Sequence, residues 1–98
     1  MPYVRVTITK SDKPKKKYKA VLYDKDNKTK TIYFGSAGAS DFTKNKDEKR
    51  KQLYINRHRK RENWTVPDTA GSLAKHILWN KPTLRASITD YKRRFNLS

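Results

Sequence analysis

The residues of this sequence that point to a chemical use are lysines and arginines, which are concentrated between Thr43 and Glu62. Their side chains carry positive charge at neutral pH and can neutralise phosphate groups. The segment has no Gly or Pro and is rich in good helix formers, so it predicts a helix over Lys44–Arg61. At the helical period, six of its cations share one broad face, which we expect to contact nucleic acid. These six residues are Lys46, Lys49, Arg50, Arg57, Lys60 and Arg61.

The opposite side of this predicted helix carries Tyr54, Ile55 and His58, so the helix is basic on one side and mixed apolar on the other. A helix of this kind, ~27 Å long at the standard rise, is suited to lie along a negatively charged partner. Tyr54 and Tyr33 could also stack on single-stranded bases, although an aromatic residue in a small fold more often belongs to the core.

Two further basic segments could assist this helix. Lys10–Lys17 contains Pro14 and is interpreted as a flexible lysine-rich loop, which either contacts phosphate or serves as a solvated connection. Lys92–Arg94 lies on the last predicted helix. The candidate phosphate-binding residues in these two segments are Lys15, Lys16, Lys17, Arg93 and Arg94.

The charge balance supports a polyanionic partner. The 98 residues include 25 Lys and Arg against 9 Asp and Glu, a formal net charge of +16. Self-repulsion at this density opposes a compact state unless a polyanion or an acidic protein neutralises it. The plain alternative is a solvated basic surface on a structural filler protein. We therefore expect nucleic acid, with DNA favoured over RNA, or an acidic capsid protein as the partner.

Catalysis, metal binding and cofactor binding are not expected. His58 and His76 lie on different predicted helices and form no metal-binding motif. Asp41 and Asp47 are more simply explained as helix caps than as metal ligands. Cysteine is absent, which excludes disulfides and thiolate metal sites. We expect neither an enzyme nor a small-molecule ligand, and the lack of a long apolar run argues against membrane insertion.

The loop Phe34–Phe42 admits two interpretations. Gly35 and Gly38 would let backbone amides approach an anion at the start of a helix. A tight strand-to-helix connection, with Asp41 or Thr43 as the N-cap, explains the same residues more simply.

The elements that must position the basic helix predict an α+β fold in one small domain, residues 1–98. Apolar and polar residues alternate from Tyr3 to Thr9, and strands are expected at about 3–9, 18–23 and 29–34 in an antiparallel sheet. A hairpin turn is expected near Asp26 and Asn27. Helices follow at about 44–61, 70–79 and 83–95. The clearest apolar stripe lies on the last helix and consists of Leu84, Ile88, Tyr91 and Phe95.

Three stretches between Lys17 and Phe95 carry a resemblance to a known family: KYKAVLYD, KTKTIYFGSAGASDFTKNKDEKRKQLYINRHRKRENW and TAGSLAKHILWNKPTLRASITDYKRRF. In this order they resemble a family of small basic proteins encoded by giant and large nucleocytoplasmic DNA viruses (chlorovirus-, mimivirus- and marseillevirus-like). The resemblance implies a viral context, in which small basic proteins accompany packaged DNA or fill the inner shell of the capsid. It transfers no functional residues to this chain.

Two functions remain open at this stage. The first is DNA binding through phosphate contacts, without strong sequence specificity, by a protein of the virion. The second is a minor capsid or scaffold protein that docks on acidic protein surfaces. A weaker third possibility is binding of an RNA or an acidic host factor. The expected location is the virion, and the host cytoplasm, viral factory or nucleus during infection.

Overall fold

The computed structural model describes residues 3–98 and confirms the α+β fold, with an antiparallel sheet in the order β1-β2-β3 followed by helices. Met1 and Pro2 of the predicted domain lie outside the described residues. The strands are β1 (Arg5–Lys10), β2 (Lys16–Tyr23) and β3 (Thr29–Ser36). The helices are α1 (Phe42–Asn45), α2 (Glu48–His58), α3 (Ala70–Leu73, continued by a π-helical turn over Ala74–Leu78) and α4 (Leu84–Arg94).

The sheet buries one face against the last two helices. Val6 pairs with Leu22 across β1 and β2, and both side chains are buried, as the alternating sequence predicts. On the helical side, the core consists mainly of Leu73, Ile77 and Tyr91. No helix in residues 3–98 has both the length and the apolar character needed to cross a membrane.

The two connections of the sheet differ in how well the sequence predicts them. The turn between β2 and β3 is the expected one, since Asn27 adopts a left-handed backbone (φ 62°) and the Asp24 carboxylate accepts hydrogen bonds from the backbone N–H groups of Asp26 and Lys28. The predicted loop over 10–17 is shorter, because β1 extends to Lys10 and β2 already begins at Lys16. Only residues 11–15 remain outside the strands.

The long basic helix predicted over Lys44–Arg61 is divided in two. Lys46 takes a left-handed backbone (φ 52°) and ends α1, and Asp47 then caps α2 by accepting hydrogen bonds from the N–H groups of Lys49 and Arg50. The side chain of Asn45 accepts a hydrogen bond from the N–H of Asp47 at 2.8 Å. Asn and Asp side chains compete in this way with the helical backbone pattern, which is why a run of helix formers breaks here.

The two later helices begin where the sequence predicts. Thr69 caps α3 through the N–H of Ser72, and Thr83 caps α4 through the N–H of Ala86. Tyr91, in the middle of the predicted apolar stripe, is fully buried, and its hydroxyl donates a hydrogen bond to the Pro67 carbonyl at 2.7 Å. The stripe on α4 is therefore a core face.

Candidate nucleic-acid interface

Helix α2 lies at the periphery of the fold, and none of its residues is fully buried. Tyr54, Ile55 and His58 on its inner side are half-buried, whereas Arg50 and Arg57 are exposed. All six cations predicted for the basic face are exposed, and none of them takes part in a salt bridge within residues 3–98. Lys46 lies in the turn before α2, and Lys60 and Arg61 lie in the turn after it. We call these six exposed residues the basic face: Lys46, Lys49, Arg50, Arg57, Lys60 and Arg61.

An aromatic stack holds α2 against the body of the protein. The ring of Tyr54 lies 4.8 Å from that of Trp79, with the planes 10° apart, and 4.3 Å from that of His58. Burial, with a smaller contribution from the negative charge of Glu62, raises the pKa of Tyr54 to about 12. The phenol therefore stays neutral at physiological pH, so it can remain in this apolar contact.

A cleft of about 540 Å³, which we call the α2 cleft, separates α2 from β3 and α3. Its cationic side chains are Lys16, Lys17 and Arg57, and its aromatic ones include Tyr54, His58 and Trp79. A smaller cavity of about 170 Å³ adjoins the basic face and is lined by Arg50, Leu53, Tyr54, Arg57 and Trp79. Tyr54, Arg57 and Trp79 line both cavities, so they join the cleft to the basic face.

Lys17, predicted to contact phosphate, is used inside the fold instead. Its ammonium group lies 2.5 Å from the carboxylate of Asp41, and the two side chains are 10% and 2% exposed. Burial by itself would raise the pKa of Asp41, but hydrogen bonds from Lys17 and Thr43 outweigh it and leave that pKa below its usual value. Asp41 also caps α1. The prediction for Lys17 is therefore corrected, because the buried carboxylate 24 residues away neutralises its charge.

The other candidates outside α2 fall into different places. Lys15 is exposed in the connection before β2, and Lys16 is an exposed strand residue at the α2 cleft. Arg93 is exposed on α4, whereas Arg94 lies 3.4 Å from the Asp90 carboxylate in an exposed ion pair. Such a pair is weak and leaves the guanidinium free to exchange partners.

Three positively charged side chains from three helices act on one another, which the sequence did not predict. They are Lys51 of α2, Lys75 of the π-helical turn that continues α3, and Arg94 of α4. Burial lowers the pKa of Lys75, and the positive charges of Arg94 and Lys51 lower it further. Lys75 also lies over the ring of Trp64, with its ammonium nitrogen 5.4 Å from the centroid. Since the three cations come from three helices, no spacing within one helix reveals the cluster. A bound polyanion would relieve their mutual repulsion.

The two histidines lie in separate environments. His58 belongs to the aromatic stack, whereas His76 is buried and its Nε2 lies 2.9 Å from the Trp64 carbonyl oxygen. Within the part of the chain that the structure describes, no group of three or more His, Asp or Glu side chains is placed to hold a metal ion.

Comparison with known proteins identifies the family. A family model described as "Family of unknown function (DUF5754)" matches residues 6–58, which include all of the sheet except Arg5 and all of α2. An "Uncharacterized protein L851" of Acanthamoeba polyphaga mimivirus is 35% identical over 78 residues, which cover 74% of this chain and 78% of that protein. No solved structure matches.

The chain therefore belongs to this family, which has a member in a giant virus. The expected viral relationship is confirmed at this level, and it implies the context of a virus-infected cell. The chlorovirus-like and marseillevirus-like relationships remain predictions.

Proposed function

We propose that the protein binds DNA through phosphate contacts made by the basic face, without strong sequence specificity. The observation that carries the proposal is the set of six exposed cations on and beside α2, none of them in a salt bridge within residues 3–98. Within residues 46–61 the acidic residues, Asp47 and Glu48, lie at the start of α2, where they stabilise the helix. The outer face is thus free to neutralise phosphate. This is a binding role and includes no catalysis.

Phosphate contacts would supply most of the affinity, and base contacts would add little. Release of counterions from DNA favours binding by several Lys and Arg side chains whatever the sequence. Gln52 and Asn56 are exposed beside the arginines and could reach base edges, but few such contacts fit on a helix of this length. The protein would accompany DNA in the virion, and in the viral factory or nucleus during infection.

The test compares two variants that lose the same charge. In R50Q/R57Q the basic face loses two arginines, whereas in K25Q/K28Q two exposed lysines are lost at the β2–β3 turn. We expect the first variant to weaken binding of a random duplex at least tenfold and the second to weaken it no more than about threefold, because salt screens charges that make no phosphate contact. Equal losses of duplex affinity in both variants would show that α2 is not part of the DNA interface.

The exposure of Leu53 favours a second function, in which this protein is a minor capsid or scaffold protein that docks on acidic surfaces of other proteins. This side chain is 53% exposed in the middle of the basic face and lines the smaller cavity beside Arg50 and Arg57. An apolar contact surrounded by cations suits an acidic protein partner better than a phosphate backbone. The variant L53Q separates the two functions, because it would leave duplex binding unchanged but weaken binding to acidic capsid proteins.

A further inference from the structure

The α2 cleft combines aromatic and cationic groups at one place. Tyr54 is stacked between neighbours at 4.3 and 4.8 Å, and this short column of rings forms part of the wall of the cleft. Arg57 lines the same wall, and Lys16 approaches from β2. Aromatic rings beside guanidinium and ammonium groups are the usual composition of sites that hold unpaired bases and their phosphates.

The charges around the cleft leave it open to an anion. Asp41, which also lines it, is neutralised by Lys17 at 2.5 Å. The Glu62 carboxylate lies against Gly71 on the α3 side, so closely that a Cβ on Gly71 would come within 1.8 Å of it. Lys16 and Arg57 are exposed and take part in no salt bridge in the described part of the chain. The cleft thus presents one exposed cation from β2 and one from α2 to a ligand.

The volume of the α2 cleft and its connection to the basic face indicate which class of ligand it can hold. A volume of about 540 Å³ falls in the range of pockets that hold small organic molecules, ~300–1,000 Å³. Arg57 lines both this cleft and the smaller cavity beside Arg50, so a phosphate backbone bound on α2 can lead directly to the cleft. In a duplex the bases are paired and stacked inside, whereas a single strand can turn a base outward into such a cleft.

We propose that the α2 cleft holds one unpaired nucleotide of a single-stranded nucleic acid, with its base on the outer face of the Trp79 ring, at the end of the ring column, and its phosphate on Arg57 and Lys16. The proposal rests on the proposed function, because the basic face supplies the remaining phosphate contacts. Stacking of one base contributes about five- to 150-fold in affinity. The protein should therefore bind a single strand more tightly than its charge alone predicts.

The first experiment measures stacking directly. The variant W64F leaves Trp79 as the single tryptophan, because the sequence contains two. Titration with oligo-dT should quench its fluorescence, whereas an equimolar duplex, bound to saturation, should leave it nearly unchanged. Equal quenching by both, or quenching by neither while both bind, would overturn the assignment of the cleft. Oligo-rU in place of oligo-dT distinguishes RNA from DNA as the source of the strand.

The second experiment uses the wild-type tryptophans and a matched pair of charge variants. Lys16 lines the cleft and is not part of the basic face, whereas Lys15, exposed one residue earlier, lines neither cavity. We expect K16Q to weaken oligo-dT binding at least fivefold more than K15Q does, while both variants keep most of their duplex affinity, and circular dichroism checks that both variants fold. Equal losses of oligo-dT affinity in K16Q and K15Q, with duplex binding retained, would contradict the nucleotide site but not the proposed function. Absence of binding to every nucleic acid would instead contradict the proposed function.

Discussion

The phenol ring of Tyr54 stacks on the indole ring of Trp79, with their centroids 4.8 Å apart and their planes 10° from parallel. This contact joins a peripheral helix without a buried residue to the end of the π-helical turn after α3. Lys51 adds a second contact, with its ammonium nitrogen 4.9 Å from the centroid of the Phe42 ring, but neither contact buries a residue of α2 fully. We therefore expect that α2 can unfold locally while the rest of the fold stays intact.

The stack predicts the effect of removing Tyr54. In Y54A, α2 should lose protection against amide hydrogen exchange, by about two- to tenfold, because an aromatic pair contributes ~0.5–1.5 kcal/mol beyond its buried area. The amides of the sheet should change little, since α2 does not contribute to the core cluster. Y33A is the control, because Tyr33 lies on β3 and its hydroxyl donates to Asp12. An equal loss of protection in α2 and in the sheet of Y54A would show that α2 does not unfold independently of the rest of the fold.

The ion pair between Lys17 and Asp41 predicts a large effect of a single neutralisation. In K17M the buried Asp41 carboxylate loses its counter-charge, and the free energy of unfolding should fall by about 3 kcal/mol, the lower end for a broken buried pair. K17M/D41N should recover part of this loss, because an asparagine still caps α1 and carries no charge. K16M, at the exposed neighbour, is the control. Urea unfolding measures all three, and equal losses in K16M and K17M would refute the buried pair.

Gly35, near the end of β3, and Gly38, in the loop before α1, allow the cost of backbone strain to be told apart from the cost of close packing. Gly35 and Gly38 both have positive φ, 79° and 82°, but a Cβ on Gly35 would approach Leu78 Cδ1 to 2.8 Å, whereas one on Gly38 meets nothing within 4 Å. Both alanine variants should lose ~1–2 kcal/mol to left-handed strain. G35A should lose about 1–3 kcal/mol more, because the core must be overpacked. Thermal unfolding that gives equal losses would contradict this packing.

His76 predicts a dependence of stability on pH. Burial lowers its pKa below the ordinary 6.5, despite a hydrogen bond with the Trp64 carbonyl that favours the charged form, and the charges of Lys75 and Arg94 lower it further. The unfolded chain therefore takes up a proton as the pH falls below about 6.5, while the folded protein does not. Stability should be constant above that pH and decline from there to the depressed pKa of the folded state.

The test measures urea unfolding between pH 7.5 and pH 5, above the range in which the carboxylates titrate. H76Q should reduce the decline, and H58Q, which removes the other histidine, should retain it. A decline of equal size in wild type and H76Q would assign the effect to another group.

Local patterns predicted most of the fold, because their causes lie within a few residues. The alternation in β1, the turn at Asn27 and the caps Thr69 and Thr83 are all of this kind. The division of the basic helix was not predicted, although Asn45 and Asp47 indicate it. Each of these side chains accepts a hydrogen bond from the backbone N–H two residues later, which competes with the helical pattern.

The candidate site was predicted only in part, because its remaining features arise between elements. The exposure of Lys49, Arg50 and Arg57 follows from their spacing within α2, whereas Lys46, Lys60 and Arg61 lie in the turns on either side of it. The pairing of Lys17 with Asp41, the stack on Trp79 and the cluster around Lys75 join residues from different elements, so no periodicity within one segment reveals them. Tyr54 illustrates the difference, since the sequence placed it on the inner side of the helix but not against Trp79.

The measurement that tests the central claim most directly is the salt dependence of binding to a fluorescently labelled random duplex, followed by anisotropy. If about five phosphates are contacted by the basic face, the logarithm of the association constant should fall linearly with the logarithm of salt concentration, with a slope of about −4 to −5. R50Q/R57Q should reduce the magnitude of this slope by about two. No binding even at low salt, or binding that salt does not weaken, would contradict the account and favour an acidic protein as the partner.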